Sequence, residues 1–205
     1  MAEKRSAGAS RRERAAAARE AQRARERRRR LVVILASCLA AVVVIGGVTT
    51  AVVANREDPP SLAGVQTFTV ASADHVTTPV RYPQTPPAGG DHNAVWLNCG
   101  IYDRPVPNEN AVHGLEHGAV WITYRPDLPA DQVQQLRSKV RGRTYLMLSP
   151  FPNLPAPVVA SAWGAQLRLT GAADERLDAF ITKYRQGPQA PEPGAPCDGG
   201  TGTPL

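Results

Sequence analysis

The fold is decided by the stretch between residues 119 and 149, which begins with Ala119-Val-Trp-Ile-Thr-Tyr124. β-Branched and aromatic residues dominate this hexapeptide, and a glycine and a proline bound it, which predicts a β-strand. Residues 130–141 carry apolar side chains at helical spacing and are predicted to form a helix. A second strand is predicted for residues 144–149. The three elements together predict a β-α-β unit.

Working outward, the remaining domain is predicted to consist of short elements. Every one of the nineteen prolines lies beyond residue 58, and this spacing favours short strands and ordered loops over a helix bundle. The other predicted elements are strands at 66–70, 158–163 and 166–169, a brief extended piece at 94–97, and a helix at 174–184. The pattern predicts an α+β fold, a small mixed sheet with helices on one side.

The charge of the chain is concentrated at its N-terminus. Residues 1–30 contain twelve Lys or Arg against four Glu, whereas residues 31–205 contain twelve against fourteen acidic residues. The basic character therefore belongs to a tail and not to the globular part. No nucleic-acid partner is expected for that part.

Residues 31–54 contain no charged side chain and predict a transmembrane helix. At about 1.5 Å per residue, this segment would span a hydrocarbon core of about 30 Å. The four arginines at 27–30 place the tail of residues 1–30 in the cytoplasm by the positive-inside rule. Residues 55–64 are then a linker, and residues 65–205 are an extracytoplasmic domain with a Pro-rich C-terminal tail. The predicted location is the cell membrane, with the lipid bilayer as a partner.

Two short motifs offer alternatives to an uncleaved membrane anchor. Val52-Val-Ala54 resembles a signal-peptide cleavage site, although the apolar run is longer than the roughly 7–15 residues of a signal peptide. Leu35-Ala-Ser-Cys38 resembles a lipoprotein box, but it stands at the start of the apolar run instead of after it. Cys38 is therefore interpreted as a residue of the membrane helix.

Export would leave Cys99 and Cys197 as the pair of cysteines on the oxidising side of the membrane. A disulfide between them is predicted, and its loop of about one hundred residues would stabilise the domain by roughly 4–5 kcal/mol. The alternative is that Cys99 ligates a metal beside the histidines.

All four histidines fall between residues 75 and 117, and two of them stand in His113-Gly-Leu-Glu-His117. Residues 109–117 are predicted to form two helical turns, with Asn108 as N-cap and Gly118 as C-terminal stop. His113 and His117 would then project from one face with metal-chelating spacing. His92 is the predicted third ligand, with His75 or Glu116 next. Zinc and copper are the metals that this ligand set favours.

Other functions stay open at this level. The spacing His-x-x-Glu-His matches an inverted zinc-protease signature, which would make Glu116 the general base of a metal-dependent envelope hydrolase. A third hypothesis is a non-catalytic interaction scaffold with unidentified envelope proteins as partners. In that case the histidine segment only shapes a loop.

Several longer strings resemble one bacterial family. They are the segment from Tyr82-Pro to Gly-Gly-Asp-His92, Trp96-x-x-Cys-Gly-x-Tyr102, the segment from Ala111-Val-His to Tyr124, and Pro193-Gly-Ala-Pro-Cys197. The chain is similar here to the actinobacterial family called domain of unknown function 3105. The resemblance implies a single-span, outward-facing domain. Its signature positions are His92, Cys99, His113, Glu116 and His117, and it implies no reaction.

Overall fold

The computed structural model describes residues 19, 22, 23, 25–47 and 61–205, in two compact units that divide after Asp58. In the first unit, helix α1 (Arg25–Gly47) is 23 residues long and apolar enough to cross a membrane. By length and composition, α1 suits a membrane anchor or a signal sequence. Residues 48–54 of the predicted span, residues 55–60 of the linker and most of the basic tail lie outside the described residues.

The second unit is a mixed α/β domain built on a six-stranded sheet. Its strands are β1 (Val65–Thr67), β2 (Gly100–Ile101), β3 (Val120–Tyr124), β4 (Leu146–Pro150), β5 (Val158–Ala162) and β6 (Ala165–Leu169). Its helices are α2 (Asn108–Glu116), α3 (Ala130–Val140) and α4 (Arg176–Tyr184). The spatial order of the strands is β1-β6-β5-β3-β4-β2. β4 pairs in parallel with β3 and β2, and the other pairs are antiparallel.

The alternation of side chains along β3 creates two apolar layers. Val120 and Ile122 face the layer that contains the buried residues of α3 and α4. Trp121 faces the opposite layer, where α2 and the long loops pack. The sheet is therefore covered on both faces, and the expectation of helices on one side holds for α3 and α4 alone. α2 packs on the other face because Val112 and Leu115 bury against Trp121 and its neighbours.

The β-α-β unit and the hairpin around Gly164 are confirmed. Two local predictions need correction. Asn108 was predicted as the N-cap of α2, but it is the first residue of the helix. Pro107 is the N-cap, because its carbonyl accepts a hydrogen bond from the amide of Ala111, and no side chain caps the helix there. β2 lies where no strand was predicted, and it was missed because it is two residues long and forms only by pairing with β4.

Asp174 links α4 to the end of β6. Its carboxylate accepts hydrogen bonds from Arg176 Nε at 2.9 Å and Nη2 at 2.6 Å. It also accepts bonds from the backbone amide and the hydroxyl of Thr170. The bonds from Arg176, followed by the backbone bonds, hold the pKa of Asp174 far below its usual value. A lowered carboxyl pKa contributes stability above the unfolded-state pKa, and this contribution is lost as the pH falls below about 4.

We expect Asp174→Asn to lower the free energy of unfolding by about 1–2 kcal/mol at pH 7, because it removes charge-assisted hydrogen bonds that are partly screened by solvent. Chemical unfolding followed at pH 7 and pH 3 measures the effect, and the difference from wild type should shrink at pH 3. Asp127→Asn is the matched control, because Asp127 forms an exposed ion pair with Arg125. A loss in the control as large as in Asp174→Asn would contradict the interpretation.

Candidate metal centre

Helix α2 carries His113 and Glu116, two residues of the candidate metal centre, and packs close against the sheet. Gly114 permits this approach, since a Cβ atom at that position would come within 3.0 Å of the Met147 side chain on β4. His113 and Glu116 lie one turn apart on the helix and are buried. Gly118, with a φ of 94°, ends the helix as predicted, and its amide donates to the Leu115 carbonyl.

His75 and His92 reach the site through two paired loop segments. The amide of Val76 donates to the His92 carbonyl at 2.7 Å, and the amide of His92 donates to the Asp74 carbonyl at 3.0 Å. The Asp91 side chain reinforces the pairing by accepting hydrogen bonds from the hydroxyl of Ser72 and the amide of Asp74. No pattern in the sequence indicated this positioning role for Asp91 and Ser72, because it depends on contacts across seventeen to nineteen residues.

His75, His92, His113 and Glu116 form a cluster in which one ligand atom from each residue lies within 4.8 Å of the others. The Glu116 Oε2 atom lies 2.9 Å from His92 Nε2, 3.9 Å from His75 Nε2 and 4.0 Å from His113 Nε2. Three of the four side chains are buried, whereas the His75 side chain is 52% exposed. This His3Glu group is able to hold a metal ion, and it opens to solvent at His75.

Backbone carbonyls determine which ring nitrogens are free. Nδ1 of His92 lies 2.8 Å from the Gly90 carbonyl, and Nδ1 of His113 lies 2.6 Å from the Asn93 carbonyl. A carbonyl only accepts, so each Nδ1 must carry the proton, and in the neutral ring Nε2 keeps its lone pair. This is the arrangement that orients metal-bound histidines in proteins.

The close contact between His92 and Glu116 is electrostatically unfavourable when both groups are unprotonated. His92 Nε2 is buried and has no hydrogen-bond partner in the part of the chain that the structure describes, although it lies 2.9 Å from the Glu116 carboxylate. An imidazole lone pair and a carboxylate oxygen both carry negative charge density and repel each other at this distance. The pair therefore requires a proton or a cation between the two atoms.

His113 is held in its neutral form. Burial lowers its pKa to about 4, the bond to the Asn93 carbonyl opposes this effect, and the neighbouring histidines add to it. Two tryptophan rings lie next to the histidines. The ring of Trp163 is 5.8 Å from the His92 ring, and the ring of Trp96 is 5.8 Å from the His113 ring. At neutral pH, the Nε2 lone pair of His113 is available to a metal.

His117, predicted as a ligand, lies beside the cluster and is not one of its four members. Its ring is 4.4 Å from the ring of His113, and its Nδ1 bonds to the Pro196 carbonyl at 2.6 Å, which leaves Nε2 with its lone pair as in His92 and His113. Its Nε2 lies 3.9 Å from the exposed carboxylate of Glu192. His117 occupies the C-cap of α2, so it connects the helix to the C-terminal tail.

The predicted disulfide is confirmed, since Cys99 and Cys197 are bonded with a Cα–Cα distance of 5.3 Å. The amide of Cys99 also donates to the Cys197 carbonyl at 2.7 Å. The sulfur of Cys99 is thus occupied, and the alternative in which it ligates a metal is not supported. Cys38 in α1 is a free cysteine.

The fold and the site define a class of protein: a small α/β domain with a His3Glu cluster of which three members are buried, preceded in the chain by a long apolar helix. Residues 75–199 match the sequence model of the family described as Protein of unknown function (DUF3105), and the chain belongs to that family. The match begins at His75 and includes the whole cluster and both bonded cysteines. Comparisons with curated proteins and with solved structures gave no significant match.

Proposed function

We propose that this protein binds one transition-metal ion, zinc first and copper as the alternative, through His75, His92, His113 and Glu116. The observation that carries the proposal is the convergence of these four ligand atoms within 4.8 Å. Imidazole nitrogens and a carboxylate are ligands that zinc takes in proteins, and imidazole also suits copper. A bound cation would supply the positive charge that the His92–Glu116 contact requires.

We propose further that α1 anchors the protein in the membrane and that the metal-binding domain lies on the outer side. Four arginines stand at positions 27–30, at the start of the apolar segment, which favours a cytoplasmic N-terminus. The Cys99–Cys197 disulfide supports the same topology, because disulfides persist mainly in oxidising compartments.

Binding without catalysis is favoured over a hydrolase that uses Glu116 as general base. The Glu116 side chain is only 8% exposed, and its Oε2 lies among the histidine Nε2 atoms in the position of a ligand. A general base instead has to contact a metal-bound water beside an open coordination position.

The scaffold hypothesis is distinguished from the metal-binding proposal by pull-down from solubilised membranes. Unchanged partners in a variant with all three cluster histidines replaced by alanine would favour a scaffold.

Metal analysis of the full chain in a non-ionic detergent tests the central proposal. The protein is stripped with a chelator, reloaded separately with zinc and copper, dialysed and analysed by plasma mass spectrometry. We expect about one tightly bound ion per chain for at least one of the two metals. Folded protein that retains neither metal in stoichiometric amount would overturn the proposal.

We expect Glu116→Gln to weaken zinc binding by about tenfold or more, because the neutral amide keeps the shape of the side chain but loses the anionic ligand. Competition against a chromogenic chelator measures the affinity. Glu192→Gln is the matched control, because Glu192 is exposed and contacts His117 instead of the cluster. Equal losses in both variants would contradict a direct role of Glu116 as a ligand, because Glu192 does not belong to the cluster.

A further inference from the structure

A cavity of about 740 Å³ lies at the edge of the sheet, beside β2 and the disulfide. The C-terminal end of α3 and residues 141–145 form one wall, and the tail around Cys197 forms the other. Buried Ile101 and Val140 contribute an apolar part of the lining. The volume is typical of small-molecule sites. The cavity shares no lining residue with the His3Glu cluster.

Arginine dominates the charged lining of this cavity. Arg137, Arg141 and Arg143 line one wall, whereas Asp198 is the single acidic side chain in the described lining. Guanidinium groups present donors in a planar fork that matches the oxygens of phosphates and carboxylates. Three such groups around one cavity produce a positive potential that attracts anions.

The donors of these arginines are only partly used by the protein. Nε of Arg137 is buried and has no hydrogen-bond partner among the described residues, whereas the rest of the Arg137 side chain interacts with Tyr124. Arg143 donates through Nη1 to the Lys139 carbonyl at 3.2 Å, which uses one of its five N–H groups. Arg141 is exposed, and no ion pair or side-chain hydrogen bond of Arg141 is found within the part of the chain that the structure describes. Arg141 and Arg143 are exposed, so their unused N–H donors are the ones that an anion in the cavity can reach.

We propose that this cavity is a second ligand site, which binds a small phosphate-bearing molecule through Arg137, Arg141 and Arg143. Phosphate offers several charged oxygens to several guanidinium groups at once, which a single carboxylate cannot do. The apolar lining accommodates a non-polar part of the same molecule. A soluble phosphate ester and a phospholipid headgroup carry the same chemistry, so the test contains a probe for each source.

The full chain in a non-ionic detergent is titrated by calorimetry with inorganic phosphate, with dihexanoyl phosphatidylglycerol and, as a neutral comparison, with dihexanoyl phosphatidylcholine. We expect saturable binding of phosphate or of the phosphatidylglycerol, and none of the phosphatidylcholine. Arg141→Gln should weaken that binding at least tenfold. The control is Arg168→Gln, because Arg168 is exposed on β6 and does not line the cavity. It should change the affinity less than twofold.

The two probes distinguish the two sources of the phosphate group. Binding of phosphatidylglycerol alone, with the same dependence on Arg141, assigns the site to a lipid headgroup, and binding of free phosphate assigns it to a soluble ligand. Absence of binding by both probes, or equal affinity in wild type and Arg141→Gln, overturns the proposal. If Arg141→Gln lowers the melting temperature, Arg143→Gln provides the second variant with the same expected loss.

A final measurement distinguishes this site from the metal centre. Phosphate also ligates metal ions, so the titration is repeated after the metal has been removed with a chelator. Unchanged binding supports the arginine cavity, even if the metal proposal itself fails. Loss of phosphate binding on chelation would place the anion at a metal and would overturn the inference.

Discussion

Replacing His113 by alanine is expected to weaken zinc binding by at least about 100-fold, because losing a ligand costs more than losing a residue that only orients a ligand, which typically costs 10–100-fold. His113 is the appropriate position because it is buried, its Nδ1–H bond to Asn93 aims Nε2 into the cluster, and its pKa near 4 keeps the ring neutral. Chelator competition with the full chain in detergent gives the affinity.

His117→Ala is the matched control for this experiment. His117 lies one turn further along the chain, and its ring is 4.4 Å from that of His113, but its Nε2 faces Glu192. We expect its replacement to change the zinc affinity by no more than a few fold. A large loss in His117→Ala would instead support the ligand set His92, His113 and His117 that helical spacing predicted. Unfolding curves of both variants must show that the fold is retained.

Replacing Cys197 by serine is expected to lower the melting temperature by about 10 °C or more. The disulfide closes a loop with a sequence separation of 98, and in the chain-entropy model such a loop stabilises the fold by about 4–5 kcal/mol. The tail that it holds also makes local contacts, because Pro196 accepts a bond from His117 and Ala195 accepts one from Tyr145. Thermal unfolding with and without reductant measures the effect.

Cys38→Ser serves as the control for the disulfide, because Cys38 is free and belongs to α1. It should leave the melting temperature of the domain unchanged. Intact-mass analysis after non-reducing alkylation under denaturing conditions provides the direct check. One label, on Cys38, is expected before reduction, and three labels are expected after it. Three labels without reduction would refute the bond.

Much of the fold was predictable because its elements follow local patterns. β3 was predicted as residues 119–124 and observed as Val120–Tyr124, and α3 was predicted as 130–141 and observed as Ala130–Val140. α3 follows from the helical spacing of its apolar side chains, and β3 follows from its β-branched and aromatic composition between a glycine and a proline. β2 was missed because two residues carry no period, and its existence depends on the edge of β4.

The candidate site divides in the same way. The helical spacing of His113 and His117 predicted that both would serve as ligands, and Glu116, which stands between them, was a further candidate. The structure places Glu116 Oε2 at 4.0 Å from His113 Nε2, whereas His117 is the C-cap of α2 and its Nε2 faces Glu192.

His75 was a secondary candidate in the sequence, and the structure brings it to the cluster. It does so through a bridge to His92 that Asp91 and Ser72 reinforce. The local sequence therefore determined α3, β3 and the position of the helix that carries His113 and Glu116. Which four side chains converge was decided by long-range pairing of loops, because that choice depends on backbone hydrogen bonds between segments whose separation no local period encodes.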